Sequence, residues 1–197
     1  MAKKNSKSTK KLTGIGAFLT LVLSLAALCL GLFLTNVNQT TWAANNAVGT
    51  SGIMGAILGF GFSKTVPSGG DVPEWATFPG VKPSTVDGNM VYTAPSHTGL
   101  MILFILMAAA LILTILALLF KKGKFGALLL VLAGLCLIAS GIMAFFPMQM
   151  CGFESKLTGS FKTGVDYTLG IGSILGGCFG CVGGVLGTGV GAVALLK

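Results

Sequence analysis

The chain has no arginine, although it carries thirteen basic residues, all of them lysines. Charged residues of both signs make up only 9% of the sequence, whereas a soluble domain has about 25%. A net charge of +8 in a soluble protein would point to nucleic acid. Arginine is the usual side chain for reading bases and phosphates, so its absence argues against a nucleic-acid partner. With 53% hydrophobic residues, the composition predicts an integral membrane protein.

Residues that support catalysis are also scarce. The single histidine, His97, has no second histidine with which to form a metal site or a triad. The acids Asp71, Glu74 and Asp87 are spread through one loop, where nothing brings two carboxylates together for acid–base chemistry. No ionisable residue lies inside a predicted membrane span, which argues against a pump or an ion-coupled transporter. We therefore expect a protein that is not an enzyme, with no catalytic residue, metal site or cofactor.

Four apolar runs are long enough to cross the roughly 30 Å hydrocarbon core of a bilayer. Spans are predicted at 12–35, 98–120, 125–146 and 167–196, joined by an outer loop at 36–97, a turn at 121–124 and a second outer loop at 147–166. The predicted fold class is therefore an all-α membrane protein, a four-transmembrane-helix bundle with a long first extracytoplasmic loop. Within that loop, Met90–Ala94 is typical of a short strand. The apolar Gly52–Phe62 is predicted to be interfacial or packed on the spans, with a buried strand as the alternative.

The lysines predict the orientation of the chain in the membrane. Nine of them lie in the basic tail at residues 1–11, in the turn at 121–124 and at Lys197, with no acidic residue beside them. The other four share the two longer loops with all five acidic residues. By the positive-inside rule, both termini of this multi-pass cell-membrane protein are cytoplasmic. The use of lysine without arginine is typical of an AT-rich genome and favours a bacterial plasma membrane.

Glycine is concentrated in the fourth predicted span. When the span is wound as a helix at about 100° per residue, its glycines other than Gly189 fall within an arc of roughly 160°. The third span carries small residues at heptad spacing, and small faces let membrane helices approach closely. The residues expected to pack helices together are Gly172, Gly176, Gly180, Gly184, Gly187 and Gly191 in the fourth span, with Gly134 and Gly141 in the third.

From the sequence, this glycine face has two interpretations. It packs spans of one chain against each other, or it joins the chain to a second copy or to a membrane-protein partner. The predicted function is that of a small integral membrane protein acting by helix packing and association, as a structural, scaffold or accessory subunit. A small channel or transporter accessory is the alternative, in which the glycine-rich helix would break and offer its carbonyls to a pore.

The overall layout resembles the claudin-type tetraspans, which also have cytoplasmic termini and a long first outer loop. The tryptophan-glycine-leucine-tryptophan and paired-cysteine signature of their first loop is missing here. Trp42 and Trp75 stand in a different context, and no cysteine lies between them. The resemblance therefore covers topology and implies no claudin function.

Cys178 and Cys181 form a CxxC motif inside the fourth span. In this motif and in span number, the chain resembles the four-span thiol oxidoreductases of the vitamin K epoxide reductase and DsbB type. That resemblance implies a second alternative, a membrane thiol oxidoreductase using this pair. Those enzymes need a second cysteine pair outside the membrane, whereas only Cys151 lies in a loop here. We favour the interpretation that Cys178 and Cys181 are small apolar fillers of a packed helix.

The lysine-rich tail has two interpretations as well. It binds anionic lipid, at about 1 kcal/mol per lysine, or it acts as a topology signal alone. The other expected partners are the lipid bilayer itself and either a second copy of the chain or another membrane protein.

Overall fold

A computed structural model describes residues 2–41, 47–51, 62–67, 69–72, 82–94, 96, 98–120, 124–150 and 165–196. The helices are α1 (Ala2–Phe33), α2 (Thr98–Leu119), α3 (Lys124–Met143), α4 (Pro147–Met150) and α5 (Ile171–Leu196). The strands are β1 (Thr35–Thr41), β2 (Ala47–Ser51), β3 (Phe62–Val66), β4 (Lys82–Val86), β5 (Asn89–Ala94) and β6 (Val165–Leu169).

Four of the helices are long and apolar enough to cross a membrane, which confirms the predicted number of spans. The membrane-crossing segments are Thr13–Phe33, Thr98–Leu119, Lys124–Met143 and Ile171–Leu196. An apolar run of this length forms a helix in lipid because every backbone N–H and C=O must then be bonded within the segment. The chain is therefore a mostly helical, multi-pass membrane protein.

The chain divides into two compact units. The first comprises Met1–Gly31, Leu103–Phe145 and Ile174–Lys197, and it contains most of each long helix. The second comprises Leu32–Ile102 and Phe146–Ser173, and it contains all six described strands and the short helix α4. The segments of each unit are distant in sequence, so both depend on long-range packing.

Helix α3 is the most deeply buried helix of the first unit. Half of its membrane-crossing segment is buried, against a third or less in the other three helices. Its buried residues include Leu129, Leu130 and Leu137 together with the small residues at heptad spacing. At one end of the helices, Leu129 and Leu130 form a hydrophobic cluster with Ala17 of α1 and Ala117 of α2.

One three-stranded sheet joins the two segments that the sequence analysis treats as separate outer loops. The strand order is β2-β1-β6 with both pairs antiparallel. In the register of β1 with β6, Val37 faces Leu169 and Thr41 faces Val165. Tyr167 is therefore part of a strand, and α5 begins at Ile171 rather than at the predicted start of the fourth span.

The second sheet has the order β3-β5-β4, again with antiparallel pairs. Its central strand, Asn89–Ala94, covers the strand predicted at Met90–Ala94. One face of this sheet carries the buried side chains of Val66 and Tyr92. The opposite face carries exposed small polar residues, which are Ser63, Thr65, Ser84 and Thr93. This alternation is typical of an antiparallel sheet covered on one side.

Several residues singled out from the sequence lie outside the described part of the chain. They are Trp42, Trp75, Glu74, His97 and Cys151. Of the apolar segment Gly52–Phe62, only Phe62 is described, as the first residue of β3.

Candidate functional site: the glycine face of α5

The glycine face of α5 points into the helical unit. We define it as Gly176, Gly177, Gly180, Gly183, Gly184, Gly187 and Gly191, all of which are buried. Gly172 is buried too, but it belongs to the strand-bearing unit, so it is not part of this face. Gly189 is exposed, and nothing lies within 4 Å of where a side chain on it would start. The opposite side of α5 exposes branched apolar side chains such as Ile174, Val182 and Val185. The helix is thus smooth where it meets protein and bulky where it faces outward.

Part of the glycine face packs against α3, and the contact is backbone against backbone. A Cβ placed on Gly184 would lie 2.7 Å from the carbonyl oxygen of Gly134, and one on Gly191 would lie 2.9 Å from that of Ala127. A Cβ on Gly177 would lie 3.0 Å from the carbonyl oxygen of Gly141. Real Cβ atoms essentially never come closer than 3.0 Å to such atoms, so glycine is required at Gly184 and Gly191, and the contact at Gly177 is at the limit. The two helices run antiparallel, because higher numbers on α5 meet lower numbers on α3.

We call this contact between α3 and α5 the seam, and the helices are equally close when the contact is measured from α3. A Cβ on Gly134 would meet the backbone nitrogen of Thr188 at 2.5 Å, and one on Gly141 would meet that of Cys181 at 2.7 Å. Small residues on both helices therefore face each other at two levels of the seam. Close approach of this kind brings Cα–H groups to carbonyl oxygens, a weak interaction that recurs at helix–helix interfaces.

The rest of the glycine face packs against α1. A Cβ on Gly183 would lie 2.9 Å from Cβ of Leu23, and one on Gly187 would lie 3.0 Å from Cγ2 of Thr20. A Cβ on Gly176 would lie 3.3 Å from the carbonyl oxygen of Ala27. The glycine face is therefore divided between two helices of the same chain, α1 and α3.

Gly16 of α1 belongs to the same arrangement, although the sequence analysis does not single it out. A Cβ on Gly16 would lie 2.5 Å from Cγ1 of Val190 on α5. Gly16 does not belong to a run of glycines, so it has no sequence signal beyond its position in a span. Gly126, one of the small residues at heptad spacing in the third span, lies directly against the carbonyl oxygen of Phe120, where α2 gives way to α3.

Buried hydroxyl groups in the helices bond mostly to their own backbone. Thr20 donates to the carbonyl of Gly16 at 2.9 Å, and Thr114 donates to that of Ala110 at 2.7 Å. Ser140 donates to the carbonyl of Leu137 at 3.2 Å. The side-chain oxygen of Thr188 differs, because it is buried and has no hydrogen-bond partner among the described residues. It lies against Gly134, in the seam between α3 and α5.

The two cysteines of the CxxC motif lie in different surroundings. Cys178 is exposed on the outer side of α5, whereas Cys181 is half-buried and faces Gly141 of α3. Both thiols are free, as are those of Cys29 and Cys136. In the part of the chain that the structure describes, no three His, Cys, Asp or Glu side chains gather as a metal site would require.

No protein-family model matches the chain, and no curated protein matches it either.

Proposed function

We propose that this chain is a small, non-enzymatic integral membrane protein that acts by association, as a structural, scaffold or accessory subunit of a membrane complex. In this proposal, the glycine face closes the helical bundle from within. The six strands, on the extracytoplasmic side, present the surface that a partner or a second copy recognises. The protein resides in a bacterial plasma membrane with both termini in the cytoplasm.

The observation that supports this proposal most is the filling of the glycine face by α1 and α3. Side chains or carbonyls that line a permeation path need water beside them, whereas Gly184 and Gly187 are covered by Gly134 and Thr20. The buried hydroxyls of Thr20 and Thr114 are also occupied by their own helices. A compact bundle without ionisable groups in its described core favours a structural role over transport.

The two alternatives have less support. A small channel or transporter accessory would need α5 to break or to move away from α1 and α3. A thiol oxidoreductase would need a second cysteine pair outside the membrane to pass electrons on, and only Cys151 lies in a predicted outer loop. Solute flux through the protein in liposomes would favour the channel. Loss of a quinone-dependent activity in the Cys178→Ser/Cys181→Ser variant would favour the oxidoreductase.

The proposal is tested by purifying the tagged full chain in a gentle detergent and measuring the native mass of the product. We expect a defined, stoichiometric assembly, of identical chains or with a second membrane protein. A matched pair of variants in the exposed sheet face, Ser63→Lys and Thr65→Lys, should reduce assembly without lowering the unfolding midpoint. A folded protein that is strictly monomeric and free of partners would overturn the proposal.

A further inference from the structure

Net positive charge is confined to one of the two compact units. The segments of the helical unit contain no acidic residue and nine lysines. The nine are Lys3, Lys4, Lys7, Lys10, Lys11, Lys121, Lys122, Lys124 and Lys197. The segments of the strand-bearing unit contain four lysines together with all five acidic residues. By the positive-inside rule, this distribution predicts that the nine lysines lie beside the cytoplasmic leaflet, whose surface is anionic.

The first five lysines belong to the same helix that crosses the membrane. Helix α1 begins at Ala2, whereas its membrane-crossing segment begins at Thr13. At about 100° per residue, the five lysine positions fall within an arc of roughly 120°. The basic segment is therefore a helical extension of the span, with its lysine positions on one face.

The rise of the helix sets the height of each lysine position above the membrane core. At about 1.5 Å per residue, Lys10 and Lys11 lie within roughly 5 Å of Thr13 along the helix axis, and Lys7 at about 9 Å. The headgroup layer of each leaflet is about 5–8 Å thick. Lys3 and Lys4 stand about 14 Å out, which is about 6–9 Å beyond the headgroup layer and close to one screening length of roughly 8 Å.

Lys124 lies at the same end of the helical unit. It is the first residue of α3 and is exposed. Ala17, early in the membrane-crossing part of α1, shares one hydrophobic cluster with Leu129 and Leu130, early in α3. The starts of these two helices are thereby held at one level, and the α1 lysine positions and Lys124 flank the same headgroup layer.

We propose that Lys7, Lys10, Lys11 and Lys124 form a binding site for the phosphate groups of anionic phospholipids at this end of the bundle. Compact ammonium groups suit such a surface, whereas base reading in nucleic acid relies on arginine, which the chain lacks. The site rests on the membrane-spanning part of the proposed function and is independent of any protein partner.

The test is native mass spectrometry of the full chain in detergent with added phosphatidylglycerol or phosphatidylcholine. We expect phosphatidylglycerol to bind preferentially, and 0.5 M salt to weaken its binding, as counter-ions screen the lysines. In the Lys10→Gln/Lys11→Gln variant, affinity should fall roughly 30-fold, at about fivefold per lysine near the surface. Lys124→Gln alone should lower it about fivefold.

Two matched double variants remove the same amount of charge elsewhere. Lys3→Gln/Lys4→Gln should lower the affinity only about threefold, because those positions lie about one screening length beyond the headgroup layer. Lys64→Gln/Lys82→Gln should change it by less than that, because these lysines share the strand-bearing unit with all five acidic residues. Equal binding of the two lipids, or equal losses in all three double variants, would overturn the site. So would retention of nucleic acid in place of lipid. Bound lipid is counted separately on monomers and on assemblies. A protein that is only monomeric and still binds phosphatidylglycerol would contradict the association proposal but support the lipid site.

Discussion

Individual backbone atoms determine how closely α5 approaches its neighbours. At Gly184, an added Cβ would lie 2.6 Å from Cγ1 of Ile138 and 2.7 Å from the carbonyl oxygen of Gly134. The second contact is with backbone, which cannot rotate away as a side-chain end does. A single methyl group at this position must therefore push α3 and α5 apart.

Alanine at position 184 should destabilise the folded protein, and alanine at position 189 should not. Overpacking of a filled contact costs about 1–3 kcal/mol, whereas Gly189 faces open space and alanine is the better helix former. We expect Gly184→Ala to lower the midpoint of thermal unfolding in detergent micelles and Gly189→Ala to leave it unchanged or raise it. Equal midpoints for the two variants would contradict the described seam.

The sequence predicted which glycines share a face but not which helix covers each of them. The helical arc separates the buried glycines from Gly189 because it depends only on the turn of the helix. Gly176 and Gly177 lie about 100° apart in that arc, and the first faces Ala27 of α1 whereas the second faces Gly141 of α3. Which helix covers each side of the arc depends on how three helices pack together, and no local pattern contains that information.

The unpartnered hydroxyl of Thr188 gives a second prediction at the scale of one residue. A buried hydroxyl without a hydrogen bond costs about 1–3 kcal/mol, so Thr188→Val should leave the free energy of unfolding unchanged or raise it. Thr114→Val is the matched control, because it removes a bond to the carbonyl of Ala110 and should lower that free energy by about 1 kcal/mol. Chemical unfolding in mixed micelles measures both. If Thr188→Val is the more damaging change, the hydroxyl has a partner.

At the scale of whole elements, the main difference from the sequence prediction is the amount of β structure. The alternation in Met90–Ala94 is a local signal, and the strand is present as β5. The pairing of β1 with β6 joins residues more than a hundred positions apart, such as Val37 and Leu169. Long-range pairing of this kind leaves no short pattern in the sequence, so Tyr167 was assigned to a helix.

Disulfide trapping tests the pairing of β1 with β6. In a background without the native cysteines, Asn38→Cys with Thr168→Cys should crosslink, because the two residues are directly opposed in the register. Opposed residues in antiparallel strands have Cβ atoms about 4.5–5.5 Å apart. Asn38→Cys with Tyr167→Cys is the control and should crosslink much less, since neighbouring residues on a strand point to opposite faces. Equal trapping of both pairs would indicate a different register.

The β4–β5 hairpin depends on two residues with left-handed backbone conformation. Asp87 has φ 49° and Gly88 has φ 79°, as a two-residue type I′ turn requires. We expect Gly88→Ala to cost about 1–2 kcal/mol and to speed hydrogen exchange of the amides in Asn89–Ala94. Asp87→Asn should leave exchange unchanged, because asparagine tolerates this conformation. Unchanged exchange in Gly88→Ala would contradict the turn. The Asp-Gly pair is itself a local hairpin signal that the sequence analysis did not use.

At the scale of the whole molecule, the helical unit is internally closed and externally apolar. The glycine face of α5 is covered by α1 and α3, while large apolar side chains such as Phe18, Ile112 and Leu135 are exposed on the outer sides of the helices. Nine of the thirteen lysines lie in this unit, and all five acidic residues lie in the other. We therefore expect any assembly with a partner to use a surface other than the glycine face.

The most direct test of this central claim measures unfolding and native mass on the same preparations of wild type, Gly184→Ala and Gly189→Ala. If the glycine face closes the bundle within one chain, Gly184→Ala lowers the unfolding midpoint, and the fraction that remains folded keeps the stoichiometry of the wild type. Gly189→Ala matches the wild type in stoichiometry and is at least as stable. The contradictory result is a Gly184→Ala protein that unfolds at the wild-type midpoint but has lost its assembly, because the glycine face would then join separate chains.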